Sequence, residues 1–400
     1  MRQTRNLLYP SGTGGSNPSL SATFPPEMKI IVVGAGPAGL LFALLTKRRQ
    51  PRCEITVLEQ NAADATFGFG VVFSRGALEF LSRDEPQMHA ELSRVMESWP
   101  MQRIVHRDEA IDIDGNGFSA IGRLRLLQLL QARCSEVGVE MRFGVLVDPS
   151  KLPKADLIVA ADGVNSAVRT RFAHVFRPRI ELLTNKFAWY GTRQRFECLT
   201  LTFRESRHGA FVAHHYRYSP DMSTFIVECS AATWQRAGLD TMSDEESRRY
   251  CEEVFAADLA NHPLVGNKSI WRNFPLLRNE AWFFENKVLI GDALRTGHFS
   301  IGSGTRLAFD DAIALAKVLE DGISVKQALL EFERQRRPVV EKLVAAANLS
   351  SYWYERLDER MAAEPWRLAY DYMTRSGRMT DERLREEAPR FMRMVDARRA

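Results

Sequence analysis

The sequence predicts an α/β protein: a Rossmann-like dinucleotide-binding domain with a helix-covered parallel sheet, an antiparallel β domain, and a helical C-terminal region. Three observations predict it. A β-branched run at 29–33 leads straight into Gly34-Ala35-Gly36-Pro37-Ala38-Gly39 and an apolar helical stretch at 40–45. Two later apolar runs, 156–161 and 287–290, stop at Asp162-Gly163 and Gly291-Asp292. Between them, 186–229 carries the alternating β character of an antiparallel sheet. The expected organisation is a disordered leader at 1–27 and a discontinuous dinucleotide domain at 28–175 and 270–325. An antiparallel substrate domain at 176–269 and a helical region at 326–400 complete it.

In the opening block each glycine has a physical task. Gly34 permits the tight turn, Gly36 lets a pyrophosphate approach the backbone, and Gly39 lets the helix pack closely on the strand. The helix start, at Ala38 and Gly39, offers free N–H groups and the positive end of a dipole. A second strand, 54–58, ends in Glu59, twenty residues past Gly39, where an acid is expected to accept hydrogen bonds from an adenosine ribose.

Composition narrows the class. The chain has 400 residues, 45% of them hydrophobic and 26% charged, with a net charge of only +4. That is enough for a large core, and nothing in it calls for nucleic acid or a membrane surface. The five cysteines are scattered without a CxxC pair, which points to reduced thiols in a cytoplasmic protein, with no disulfide and no metal site. No apolar run reaches the roughly eighteen residues of a membrane span. Residues 11–19 are rich in Gly and Ser, and Pro25-Pro26 precedes Met28, so 1–27 reads as a leader or an over-long start with Met28 as initiator.

Further along, 67–74 is glycine-rich and aromatic, suited to lie against a flat ring or to form a tight turn packed with phenylalanines. The stretch 123–133 has helical apolar spacing and opens on Arg123, a cation at the helix end where the dipole disfavours it. Such a cation is expected to face something negative. After the strand at 156–161, Asp162 with Ser166 and Arg169 at fixed offsets fits a second sheet-edge site, or a helix capped by Asn165 or Ser166. In the antiparallel stretch Tyr190, His214, His215, Tyr216 and Glu228 are candidates for a pocket wall. Period-two alternation puts His214 and Tyr216 on one face and His215 on the other. Asp292 stands at the end of its strand, and 294–305 forms a glycine-containing loop with His298, Gly302 and Gly304 before a helix at 307–319. The tail is helical, with breaks expected at Pro338 and Pro365, and its aromatics pack on the main body.

Three ordered blocks now stand together: GAGPAG with Glu59, ADGVNSAVR at 161–169, and GDALRTGHFSIGSGT at 291–305. This combination resembles the class A flavoprotein monooxygenases of the para-hydroxybenzoate hydroxylase type. NGFSAIGRLRLLQLLQARC, FAWYGT, STFIVE, GHFSIGSGT and YDYMTRSGRMTDERLR are similar to salicylyl-CoA 5-hydroxylases and the monooxygenase part of 2-aminobenzoyl-CoA monooxygenase/reductase. The violacein-pathway hydroxylase shares related stretches. The resemblance implies a tightly held FAD, NAD(P)H as co-substrate, and O2 captured as a C4a-hydroperoxide that passes one oxygen atom to an activated aromatic ring. It further implies that Gly34, Gly36, Ala38, Gly39 and Glu59 bind the ADP half of FAD, and that Arg123 and Asp162 contact the cofactor. Asp292 is implied to meet the ribityl chain, and Gly302 and Gly304 the isoalloxazine. Three departures stand out: Arg295 replaces a histidine of the common pattern, His298-Phe299 replaces prolines, and Arg306 replaces an asparagine. His298 is the expected catalytic side chain beside the flavin, with His214 and Tyr190 on the substrate wall. Basic residues for a CoA thioester are expected among Arg193, Arg195, Arg204, Arg207 and Arg217, but residues alone do not separate a CoA ester from a free aromatic acid or an indole. The oligomeric state is left open.

Overall fold

The computed structural model describes residues 28–400 apart from 116, 321 and 322; the leader expected at 1–27 lies outside the described residues. A six-stranded sheet runs in the order Phe283–Phe284, Lys287–Leu289, Leu157–Ala160, Lys29–Val33, Glu54–Glu59, Glu140–Phe143. All its pairings are parallel except the first. Ile30–Val33 and Leu157–Ala160 are buried at every position, as strands covered on both faces must be. The helix Pro37–Arg49 is buried continuously from Ala38 to Thr46 because it is apolar all round. It packs against Arg123–Glu136 and Gly304–Val318 as well as the sheet.

The second sheet runs Leu264–Gly266, Pro178–Thr192, Met222–Cys229, Gly209–Ser219, Leu199–Ser206, Gln102–His106, Glu109–Ile113, with Arg272–Asn279 also paired to the long strand. It is antiparallel except between Leu199–Ser206 and Gln102–His106. Gln102–Ile113 and Arg272–Asn279 therefore hydrogen-bond into this sheet across the boundaries expected at 176 and 269. Alternation marks a strand without naming its partner, so only the pairing assigns it. A small sheet of Gly70–Ser74, Phe118–Gly122 and Glu97–Trp99 bridges the two.

The register sorts the second sheet's faces. His214 and Trp189 both stand opposite Ile226, and Glu228 opposite Phe187, so these share one face. His215 and Tyr190 both stand opposite Phe225, on the other face. That second face is closed by an apolar cluster with Phe211, Phe255 and Leu259.

The tail corrects one expectation. Val325–Glu355 is a single helix of 31 residues that passes through Pro338 without a break. Pro338 and Arg334, whose carbonyl loses its donor, are both exposed, so the freed carbonyl is on the side of the helix open to water. Pro365 starts a helix at its first position, where no N–H is needed.

Candidate functional site

The opening block forms a backbone cradle. Gly34 has φ +102°, and a Cβ there would lie 2.4 Å from the Ala161 carbonyl oxygen. A Cβ on Gly39 would lie 2.1 Å from the Gly34 carbonyl oxygen. Strand, turn and helix are thus in contact with no room between them. Gly36 faces the other way, with nothing within 4 Å of its Cβ position. It precedes Pro37, and no side chain caps the helix, so its first N–H groups stay open to an anion. Glu59 is held at the edge of this cradle: Oε2 accepts from Ala35 N at 2.8 Å, and Oε1 from Asn61 N at 2.9 Å and Asn61 Nδ2 at 2.7 Å. A carboxylate has about four acceptor positions, so one remains for a ribose hydroxyl.

The other two blocks meet it. Gly291 brings its strand end against the first helix, its Cβ position 3.0 Å from the Ala38 side chain. Asp292 is exposed on the open side, yet lies deep enough that desolvation raises its carboxyl, with Arg123 and Arg295 pulling the other way. Arg123, at the start of its helix, has burial lowering its pKa and Asp292 opposing that, so the negative group it faces is Asp292. Asp162 Oδ2 accepts from Ala167 N at 2.8 Å, while Oδ1 is buried with no partner among the described residues. Ser166 caps the next helix. The buried Arg169 donates to Val164 O and, at 3.1 Å, to Ala293 O, tying the second block to the third.

A buried ion cluster that the sequence reading passed over sets the third block. Asp311 Oδ2 accepts from Arg295 Nη1 at 2.6 Å and from Gly291 N at 3.1 Å. Its Oδ1 accepts from Arg336 at 3.2 Å. Arg295 also donates to Gly291 O and Leu307 O, clamping both ends of the loop that carries His298, Gly302 and Gly304. The departure to Arg295 was visible; its partners Leu307 and Asp311, twelve and sixteen residues on, were not. Gly302 takes φ +59° beside Val72, and Gly304 opens its helix with nothing within 4 Å of its Cβ position. Ser303 Oγ is buried there without a partner among the described residues.

Beside this loop stands an aromatic wall. His298 lies tilted against Phe299 at 4.2 Å between centroids and meets Phe274 edge-on at 4.8 Å. Phe299 touches Phe187 at 5.0 Å and His214 at 5.3 Å. His214 Nε2 lies 3.3 Å from Glu228 Oε2, and Glu228 Oε1 accepts from Asn185 Nδ2 at 2.9 Å. Tyr354, from the tail, backs His214 at 5.1 Å. The structure brings His298 and His214 together and leaves Tyr190 out. Tyr190 is fully buried on the opposite face, its hydroxyl 3.4 Å from Ser247 Oγ. Phe187 and Trp189 take the wall positions instead; an alternating strand looks the same from sequence in either phase.

The expected basic residues are largely engaged. Arg204 is held by Asp258 and Asp108, Arg217 by Glu97, and Arg193 lies 3.8 Å from Asp221. Arg272, an exposed residue, instead lies over the Phe187 ring at 5.9 Å, with no acid partner among the described residues, and partial desolvation of its guanidinium lowers its pKa.

Taken together, the open Gly36 backbone, the spare acceptor on Glu59, and the unpartnered Asp162 Oδ1 and Ser303 Oγ fit a dinucleotide laid from the first helix to the Gly302–Gly304 turn. Among the described residues no helix is long and apolar enough to cross a membrane.

Comparison with known proteins agrees with this geometry. A family model described as the FAD binding domain matches residues 148–347. The chain is 43% identical over 361 residues to a salicyloyl-CoA 5-hydroxylase of Streptomyces sp, covering 87% of this chain and 70% of the relative. It is 38% identical over 351 residues to protodeoxyviolaceinate monooxygenase of Chromobacterium violaceum, covering 84% and 91%. A solved structure of tetrameric 2-methyl-3-hydroxypyridine-5-carboxylic acid oxygenase superposes with a TM-score of 0.68 at 18% identity, covering 90% of this chain and 96% of the other.

Proposed function

Because the chain belongs to the FAD binding domain family and is a flavin-dependent aromatic monooxygenase, we propose that it hydroxylates an aromatic thioester of the salicyloyl-CoA type, using O2 and NAD(P)H. The observation that carries the substrate reading is the 43% identity to the salicyloyl-CoA enzyme across nearly the whole chain. The unpaired Arg272 beside the aromatic wall supports an anionic group on the substrate. Gly34, Gly36, Ala38, Gly39 and Glu59 would hold the adenosine diphosphate half of FAD, with Arg123, Asp162, Asp292, Gly302 and Gly304 along the remainder. Bound there, FAD supplies the electron transfer from nicotinamide and the activation of O2. The protein's own residues orient the ring and exclude water: Phe187, Phe274 and Phe299 are apolar surfaces suited to a planar aromatic.

The test uses the full chain loaded with FAD and supplied with NADH or NADPH, isotopically labelled O2, and salicyloyl-CoA, free salicylate or an indole carboxylic acid. One labelled oxygen in the thioester product, in step with nicotinamide consumed, is expected. Hydroxylation of the indole acid alone would favour the second reading, which the 38% identity to the violaceinate enzyme supports. Peroxide as the only product from every compound would defeat both.

The same assay checks the wall. Tyr190→Phe is expected to keep product formation within twofold, because its hydroxyl makes one long hydrogen bond on the far face; removing it costs about 1 kcal/mol of stability. A tenfold fall in product would place Tyr190 back at the site.

A further inference from the structure

We propose that His214 and His298 divide the proton work of the site: His214 accepts the proton of the substrate's ring hydroxyl or amino group at Nδ1, and His298 donates a hydrogen bond from Nε2–H. Glu228 is the positioning residue that gives His214 this role. The proposal rests on the aromatic hydroxylase reading above and adds residue roles to it.

Hydrogen-bond bookkeeping decides the tautomers. Glu228 is almost fully buried on the His214 face. Burial works to raise its carboxyl, but the hydrogen bonds from His214 and Asn185 pull it the other way and its pKa lies below the ordinary value, so the group is held ionised. A carboxylate only accepts, so the His214 nitrogen 3.3 Å away, Nε2, must carry hydrogen. In the neutral form of His214 the lone pair is then at Nδ1, which no hydrogen bond among the described residues occupies. His298 is fixed differently. Its Nδ1 accepts the backbone N–H of Ser300 at 3.3 Å, within the turn that leads to Gly302. Burial lowers its pKa to about 4, with Glu228 opposing that and His214 and Arg375 adding to it, so the ring stays neutral at ordinary pH. Its hydrogen therefore sits on Nε2. Both rings border Phe299, one offering an acceptor and the other a donor. The other ionisable groups packed around them are Tyr354, whose ring is 5.1 Å from His214 and 6.2 Å from His298, and Arg375.

The chemistry balances. The substrate O–H bond breaks as an N–H bond forms at His214 Nδ1, and the imidazolium is held by the Glu228 carboxylate. The electron-rich ring carbon gains one oxygen atom of O2 as a hydroxyl; the other leaves as water, with two electrons and one proton arriving as hydride from the reduced nicotinamide and the remaining protons from solvent. As the ring regains aromaticity its C–H proton is released and the imidazolium returns its proton to the ring oxygen. His214 ends neutral. Glu228→Gln tests the arrangement, because the amide can donate to His214 Nε2 and turn Nδ1 from acceptor into donor.

Two measurements are made on the FAD-loaded full chain. Nitrogen NMR of 15N-histidine-labelled protein reads the tautomers without turnover; hydrogen on Nε2 of both His214 and His298 is expected. Hydroxylation of salicyloyl-CoA is then compared across variants. Glu228→Gln should lose about a hundredfold or more in kcat, with KM within threefold and nicotinamide consumption diverted to peroxide, and Glu228→Asp should restore part of it. Hydrogen on Nδ1 of wild-type His214 overturns the proposal whether or not any variant folds. Coupled hydroxylation by Glu228→Gln within threefold of wild type overturns it as well. A wild-type protein with the expected tautomers that hydroxylates nothing overturns the hydroxylase reading, and this catalytic assignment with it.

Discussion

Replacing Asp311 by alanine is expected to destabilise the folded protein by about 3–5 kcal/mol, because it leaves buried positive charge without its counterion. Arg295 is 4% exposed and Arg336 6%, and both aim their guanidinium groups at this one carboxylate. Asp310 nearby does not replace it. Burial raises Asp310 to about 6, and it approaches Arg306 and Arg336 only at 3.7 and 3.8 Å. The loss also reaches the site, since Gly291 N would lose its acceptor and Arg295 its anchor. Thermal and denaturant unfolding of wild type and Asp311→Ala give the stability change, and flavin absorbance of the purified protein gives cofactor retention. A loss below about 1 kcal/mol would mean that water reaches the cluster and that its ionic character matters little.

Gly34→Ala is the second large effect, directed at the cofactor. At φ +102° an L-residue is strained by about 1–3 kcal/mol, and the new Cβ would overlap the Ala161 carbonyl. Both atoms are backbone-bound, so relief requires separating the first strand's turn from the Asp162 strand, the two elements that shape the cradle. At about 1.4 kcal/mol per tenfold, a fall of about a hundredfold or more in FAD affinity is expected, measured by flavin fluorescence during titration of the deflavinated protein. Gly36→Ala is the contrast: its Cβ meets nothing within 4 Å, so stability should hold while FAD affinity falls. If Gly34→Ala binds FAD like wild type, the turn is looser than the contacts indicate. If Gly36→Ala does so, that open side is not where the cofactor runs.

What was legible in the sequence was local. A strand, a glycine turn, a helix and an acid twenty residues on are close in the chain, and their spacing announces the roles of Gly34, Gly39 and Glu59. The same holds for the strand ends at Asp162 and Asp292. Three further facts needed the fold. Alternation could not say whether Tyr190 or its neighbours Phe187 and Trp189 face His214, because the phase of a strand is set by its partner, here through Ile226, Phe225 and Glu228. The ion cluster joins Gly291, Arg295, Asp311 and Arg336 across a loop and two helices, where no periodicity announces it. Pro338, a helix breaker by its own chemistry, is carried through where both it and Arg334, whose carbonyl loses its donor, lie on the exposed side of the helix, open to water. Sequence by itself determined the glycine turn, the helix behind it and the acid beyond, whose parts lie close along the chain. Only the tertiary structure decided which histidines share a wall and which acid holds the arginines, because burial and pairing are properties of residues far apart in sequence.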